Sequence, residues 1–301
     1  MTVVMGAPRL DVADALTRAW ALSGFYQTLP PDAPDLVPLG TLLTPESLAD
    51  LLDRARTACG GCRTRPARTA AAIMLASEFF SVLAAGYAGL LFADRRGLLL
   101  APDSVALRSD GEGFDALTGT GTLLVLPGDP AYGHPGTEAV GTLPELHARL
   151  GASYADLLTP VVEGISALTR RSRRALWMEA ADRFAGAALV ASRAEAARRA
   201  RGPAPGAPGA LDLGPGPADL RSEVDAVLSV APPVLRHSVS WIDVTAGCGR
   251  VTWKRRGTCC LTYQTPRWTG EYCTTCPLIP EEETVRRVAE YLDGLDGQTG
   301  A

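Results

Sequence analysis

Lysine is nearly absent from this chain of 301 residues: Lys254 stands alone among 29 basic residues. With a net charge of −4 there is no basic surplus, which removes the electrostatic ground for a nucleic-acid partner. Histidine is also scarce. His134, His147 and His237 are the only three, and no two share a metal-ligand spacing. Neither a Rossmann fingerprint nor a Walker loop occurs. Gly119-Thr-Gly121 precedes a strand-like run instead of following one and reads as a turn, so bound NAD or ATP is not expected. The first ten residues lack a basic stretch leading into an apolar one, so no secretory signal is expected. What remains is an ordinary globular balance, 47% apolar and 21% charged, enough for one large domain or two modest ones.

The local patterns predict an α+β fold, mostly helical, with a small antiparallel sheet and a C-terminal metal module. Thr44-Pro45-Glu46 is a helix start, with a capping hydroxyl, proline at the first helical position and acid in the first turn. The run from Ala70 to Ala93 is apolar enough to span a membrane. It carries Glu78 near its middle and much Ala, Gly and Ser, and reads as a buried core helix. Short apolar runs at 97–100, 105–107 and 122–126, bounded by Gly, Asp and Pro, read as strands. Two long helices follow, Thr142 to Leu168 with a bend expected at Pro160, and Ser172 to Ala200. The second sets Trp177, Ala181, Phe184, Ala188 and Ala191 on one stripe, with arginines and acids opposite. Residues 201–217, rich in Pro and Gly, read as a flexible linker. The division expected is 1–200 for a helical and small-sheet domain and 218–301 for the C-terminal module. That module holds a short helix at 219–229, strands near 238–244 and 250–255, and a last helix from Pro280 onward.

Seven cysteines, an odd number, argue against a secreted disulfide framework, and four of them cluster. Cys259-Cys260 is followed after twelve residues by Cys273-Thr-Thr-Cys276-Pro277. The Cys-x-x-Cys turn places two thiolates on one metal, and the proline behind it stiffens the turn. Adjacent cysteines wrap one tetrahedral zinc poorly, because neighbouring side chains diverge. A [2Fe–2S] cluster spreads its ligands over two metals and accommodates a vicinal pair. A zinc site and a thiol or disulfide role are the alternatives. Cys59-Gly-Gly-Cys62 reads as a helix terminus with incidental thiols or as a redox dithiol, and Cys248, between two glycines, as an incidental loop thiol.

Arg255-Arg256-Gly-Thr-Cys259-Cys260-Leu-Thr-Tyr263, then Tyr272-Cys273-Thr-Thr-Cys276-Pro277-Leu278, resembles the C-terminal signature of the FhuF ferric-siderophore reductases. The spacer departs from the family's shorter one and holds Pro266, Arg267 and Trp268. A looser resemblance covers Arg65 to Ser77. The resemblance implies a [2Fe–2S] cluster on Cys259, Cys260, Cys273 and Cys276, a cytoplasmic location, and one-electron reduction of iron(III) chelates.

An electron donor of the ferredoxin or flavin-reductase type would then be required, and a peripheral membrane contact is compatible with that role. The transfer itself requires no acid–base residue. Three of the five tryptophans fall between 241 and 268. With them, Arg255, Arg256, Arg267 and Trp268 form a basic and aromatic rim suited to an anionic chelate. Trp241 and Trp253 read as strand core residues. His147 reads as solvated and His237 as a marginal ligand contact. Two other functions stay open: a siderophore-binding protein whose cluster is structural, and a diverged biosynthetic redox enzyme acting on an organic substrate.

Overall fold

The structure, a computed structural model, describes residues 12–61, 64–111, 113–201, 219–247, 249–268 and 270–299. Cys62, Cys248 and nearly all of the expected linker lie outside these residues. In chain order come α1 (Val12–Ala21), β1 (Gln27–Thr28), β2 (Val37–Pro38), α2 (Leu39–Leu42), α3 (Pro45–Ala58) and α4 (Arg65–Asp94). Then follow β3 (Gly97–Leu99), β4 (Val105–Ser109), β5 (Phe114–Gly119), β6 (Thr122–Val125) and β7 (Thr137–Ala139). The rest is α5 (Leu143–Thr169), α6 (Arg173–Arg201), α7 (Leu220–Val230), β8 (Ser240–Ala246), β9 (Gly249–Arg255) and α8 (Glu281–Thr299). The class is α+β and mostly helical.

The sheets are small and mixed, where a single antiparallel sheet was expected. β4 pairs antiparallel with β2 and β5, but β1 joins β5 in parallel; β6 pairs antiparallel with β3 and parallel with β7. The parallel partners are two or three residues long, too short to leave a pattern in sequence.

Three long helices begin alike. The hydroxyls of Thr44, Thr64 and Thr142 accept from the backbone N–H three residues on, with proline in the first turn each time. α4 is long and apolar enough to cross a membrane, and it is the central helix of the core, with most of its length covered by α1, α3, α5 and α6. Pro160 lies within α5, which continues past it.

α1 sits on α4 with almost no gap. Trp20 Nε1 donates to the Val82 carbonyl at 2.8 Å, and a Cβ on Gly89 would stand 2.4 Å from the Ala19 carbonyl oxygen. That neighbour is backbone and cannot swing aside. Gly89→Ala is therefore expected to push α1 off α4 and to destabilise by about 1–3 kcal/mol, read as a lowered denaturant midpoint. An unchanged midpoint would show that the two helices part freely.

α7 packs on α5 and α6, and its Val224, Val227 and Leu228 belong to the main core with Ala231 and Leu235. A second, smaller cluster of Ile242, Val244, Val288 and Leu292 holds the β8–β9 hairpin against α8. Trp253 packs there, T-shaped to Tyr291 and with the Arg193 guanidinium over its ring, while Trp241 leans on the main core.

Candidate metal centre

The chain leaves β9 at Arg255 and enters the segment that carries the four clustered cysteines. Consecutive side chains leave an extended backbone on opposite sides, and Cys259 and Cys260 accordingly find different partners. Cys259 hydrogen-bonds with Cys276, and Cys260 with Cys273. Leu261, in the left-handed region at φ 60°, turns the chain sharply after the pair, and its N–H donates to Cys259 Sγ at 3.4 Å. The second knuckle is closed by Cys276 N–H donating to the Cys273 carbonyl at 3.0 Å. Cys260 and Cys276 are buried; Cys259 and Cys273 are half-buried.

The four thiols thus fall into two pairs. Among the described residues, no group of three or more His, Cys, Asp or Glu side chains is arranged to hold a metal ion. A mononuclear zinc site needs all its ligands on one centre. In a [2Fe–2S] cluster, by contrast, each iron takes two protein sulfurs. The surrounding charge fits as well. The Arg256 guanidinium acts on Cys260 and Cys273, and that of Arg171, in the turn between α5 and α6, acts on Cys259. Nε of each arginine is buried without a hydrogen-bond partner, an arrangement that suits an anionic group of thiolates and sulfides. The hydrogen bond from Cys273 lowers the Cys260 thiol, with Arg256 acting in the same direction, and burial pushes Cys259 up.

Beneath the cysteines lies a network of buried charge. Glu179 Oε1 accepts from Ser77 Oγ at 2.6 Å and from Arg183 Nε at 2.7 Å, and Oε2 accepts from Arg256 at 2.6 Å. One turn on, Asp182 accepts from Gly257 N–H at 2.7 Å and faces Lys254 Nζ at 4.0 Å. Glu179 is 1% exposed, and although burial works against ionisation, the cations around it hold its carboxyl down to about 2. α6 thus fastens the cysteine segment from below.

The spacer is fastened from the other side. Pro266 sits over Gly60, where a Cβ would come within 2.9 Å of the proline ring, and Arg267 donates to the Ala58 carbonyl at the end of α3 at 3.3 Å. Trp268 covers a small apolar group of Ala70, Ala71 and the fully buried Cys59, whose Sγ lies 3.2 Å from Met74 Sδ. Cys59 thus stands close enough to Cys260 for its pKa to be affected, although burial is the larger influence and raises it.

Between the spacer and helices α4 and α6 opens a cleft of about 410 Å³. Its walls carry Cys260 and Cys273, Arg256 and Trp268, and opposite them Glu78 and Arg183. Of the four rim residues expected from sequence, Arg256 and Trp268 line this cleft. Arg255 instead donates to the carbonyls of Pro277 and Ile279, holding the turn after Cys276. Arg267 stacks on Trp268, 4.8 Å from the ring centre. Both arginines of the cleft share Glu179, and Glu78 and Glu271 also line it, so its charge is far more balanced than a basic rim. His147 is buried, where a solvated residue was expected: its Nε2 lies 2.8 Å from Glu223 on α7, a carboxylate 76 residues away that no local pattern could place. His237 is not among the residues lining the cleft.

Sequence reasoning did not single out Ser77, Arg171, Glu179, Asp182 or Arg183. The acids on α6 left one readable trace, a spacing of three that sets both on one face. No family model and no curated protein matches the chain.

Proposed function

We propose that the chain is a one-electron reductase of ferric siderophores, with a [2Fe–2S] cluster on Cys259, Cys260, Cys273 and Cys276. The observation that carries this reading is a thiol pair, Cys260 and Cys273, on the wall of an open cleft, with a second pair, Cys259 and Cys276, beside it and the guanidinium groups of Arg171 and Arg256 acting on them. A cluster held there supplies a one-electron couple. Around it, Arg171 and Arg256 offset thiolate charge, while Glu179 keeps Arg256 in position. Trp268 and the α4 face of the cleft bound the space in which a chelate would rest. The substrate iron, once reduced to iron(II), is softer and less charged, and hard oxygen donors hold it less tightly. The electron comes from a donor protein of the ferredoxin or flavin-reductase type, as no nucleotide-binding motif accompanies the cysteines.

Protein purified without oxygen is expected to be brown and to hold about two irons and two sulfides per chain. Reduced with dithionite and mixed with a panel of ferric siderophores, it should release iron(II) to a chromogenic trap. A colourless protein with one zinc would remove both the cluster and the reductase. Iron(II) from no chelate, with the reduced site still reoxidised by another acceptor, would favour a biosynthetic redox enzyme.

A further inference from the structure

Glu78 is an ionisable group of the cleft that neither the thiol pairs nor the Glu179 network uses. Glu78 lies on α4, its carboxylate accepting from the Phe114 N–H and packed so closely on Gly113 that a Cβ there would stand 2.6 Å from Oε2. It lines the cleft that holds Cys260 and Cys273, and also a cavity of about 50 Å³ on the other side, between α3 and the β4–β5 turn. Among the described residues it makes no ion pair. The charged and titratable groups around it are Arg183 from α6, Asp110 after β4 and Tyr26 after α1, with Arg54 of α3 across the smaller cavity, and Arg256, Glu271, Tyr272 and the thiols of Cys260 and Cys273 elsewhere on the cleft wall. Arg183 is already bonded to Glu179 and Ser77. It offsets only part of the cost of burial, which is the largest influence and raises the Glu78 pKa, with Asp110 acting in the same direction.

An acid in this position has a task in the reaction. The oxygens that bind iron(III) in a siderophore are conjugate bases of weak acids, and each must be protonated to stay off the metal. We propose, resting on the reductase reading above, that Glu78 is the catalytic acid that protonates the chelate as its iron is reduced. In that step iron(III) gains one electron from the cysteine-held site, which a donor protein re-supplies. The iron–oxygen bond breaks, the Glu78 proton forms an O–H bond on the departing oxygen, and Glu78 is left as a carboxylate. Water at the cleft mouth returns the proton.

The test compares wild type with Glu78→Gln, which keeps shape but has no proton to give, and with Glu78→Asp. Pre-reduced protein is mixed with ferric chelates, and both site reoxidation and trapped iron(II) are followed against pH. Reoxidation by ferricenium, which needs no proton, reports whether each variant is intact. Iron(II) release is expected to fall about 100-fold in E78Q, in the usual range for loss of a general acid, with partial recovery in E78D. The wild-type rate should decline as pH rises through the Glu78 pKa, and the E78Q rate should be flat. Infrared titration of the protein as purified reads the group directly: a protonated carboxyl band that vanishes on raising pH should be missing from E78Q. Equal rates and pH profiles in wild type and E78Q, or identical infrared titrations, overturn the acid and leave the reductase standing. No iron(II) from wild type with any chelate, while ferricenium still reoxidises it, overturns both.

Discussion

Cys273→Ser is expected to yield a folded, colourless protein that binds no iron and reduces no chelate. Cys273 is the partner of Cys260, lines the cleft, and begins the knuckle closed by the Cys276 N–H. Serine keeps the turn but offers a hard hydroxyl that stays protonated near neutrality, in place of a soft thiolate. In the proposed cluster Cys260 would then lack the sulfur that shares its iron, and the site is expected to be lost. The fold should survive, because none of the four cysteines belongs to the main core built on α4. Cys59→Ser is the contrasting case. Its buried thiol lies 3.2 Å from Met74 Sδ in the apolar group on which Trp268 packs, so iron content should stay at the wild-type value. Iron and sulfide assays, the visible spectrum and far-ultraviolet circular dichroism decide the matter. A Cys273→Ser protein that keeps its iron and colour would dismiss the proposed ligand set.

The largest expected loss of stability follows Glu179→Ala. This carboxylate is the only one bonded to both Arg183 and Arg256 among the described residues, and it is almost fully enclosed. Taking one partner from a buried ion network leaves the others charged and unpaired, at a cost of about 3–5 kcal/mol. The effect also depends on pH. In the fold the Glu179 carboxyl is held down to about 2, from an ordinary 4.5. Its contribution is thus present in full above the unfolded value and is lost as pH falls from about 4.5 toward 2. That drop corresponds to roughly 3 kcal/mol. Urea unfolding at neutral pH should show the full difference between wild type and Glu179→Ala, and the two curves should converge in acid. A difference that stays constant to pH 2 would mean that Glu179 acts by packing alone.

The helix starts at Thr44 and Thr142 were legible because cap, proline and acid lie within four residues of one another. The cysteine pattern was legible for the same reason: spacing along the chain limits which thiols can meet, and vicinal side chains diverge whatever surrounds them. The face of α6 was not. Its apolar stripe of Trp177, Ala181 and Phe184 is buried as read, but Glu179 and Asp182, read as facing water, are buried too. They are covered by Lys254, Arg256 and Gly257, more than seventy residues further on. Only the tertiary fold brings those cations over the helix. The same holds for Glu78, which in sequence argued against a membrane span and was expected to be paired or to face a polar cavity. Its place in the cleft depends on Arg183, on Phe114 and on the spacer docked against α3.

Lys254, the only lysine, has its own consequence. Its stem crosses α6 at Gly186, where a Cβ would stand 3.0 Å from its Cε, and its nitrogen faces Asp182 with little exposure to water. The folded chain therefore offers almost no side-chain amine to acylating reagents, reducing sugars or lysine-directed proteases. Such chemistry reaches this lysine where β9 lifts away from α6, so an adduct on Lys254 marks a molecule in which the cysteine-bearing segment has come loose from the helix beneath it.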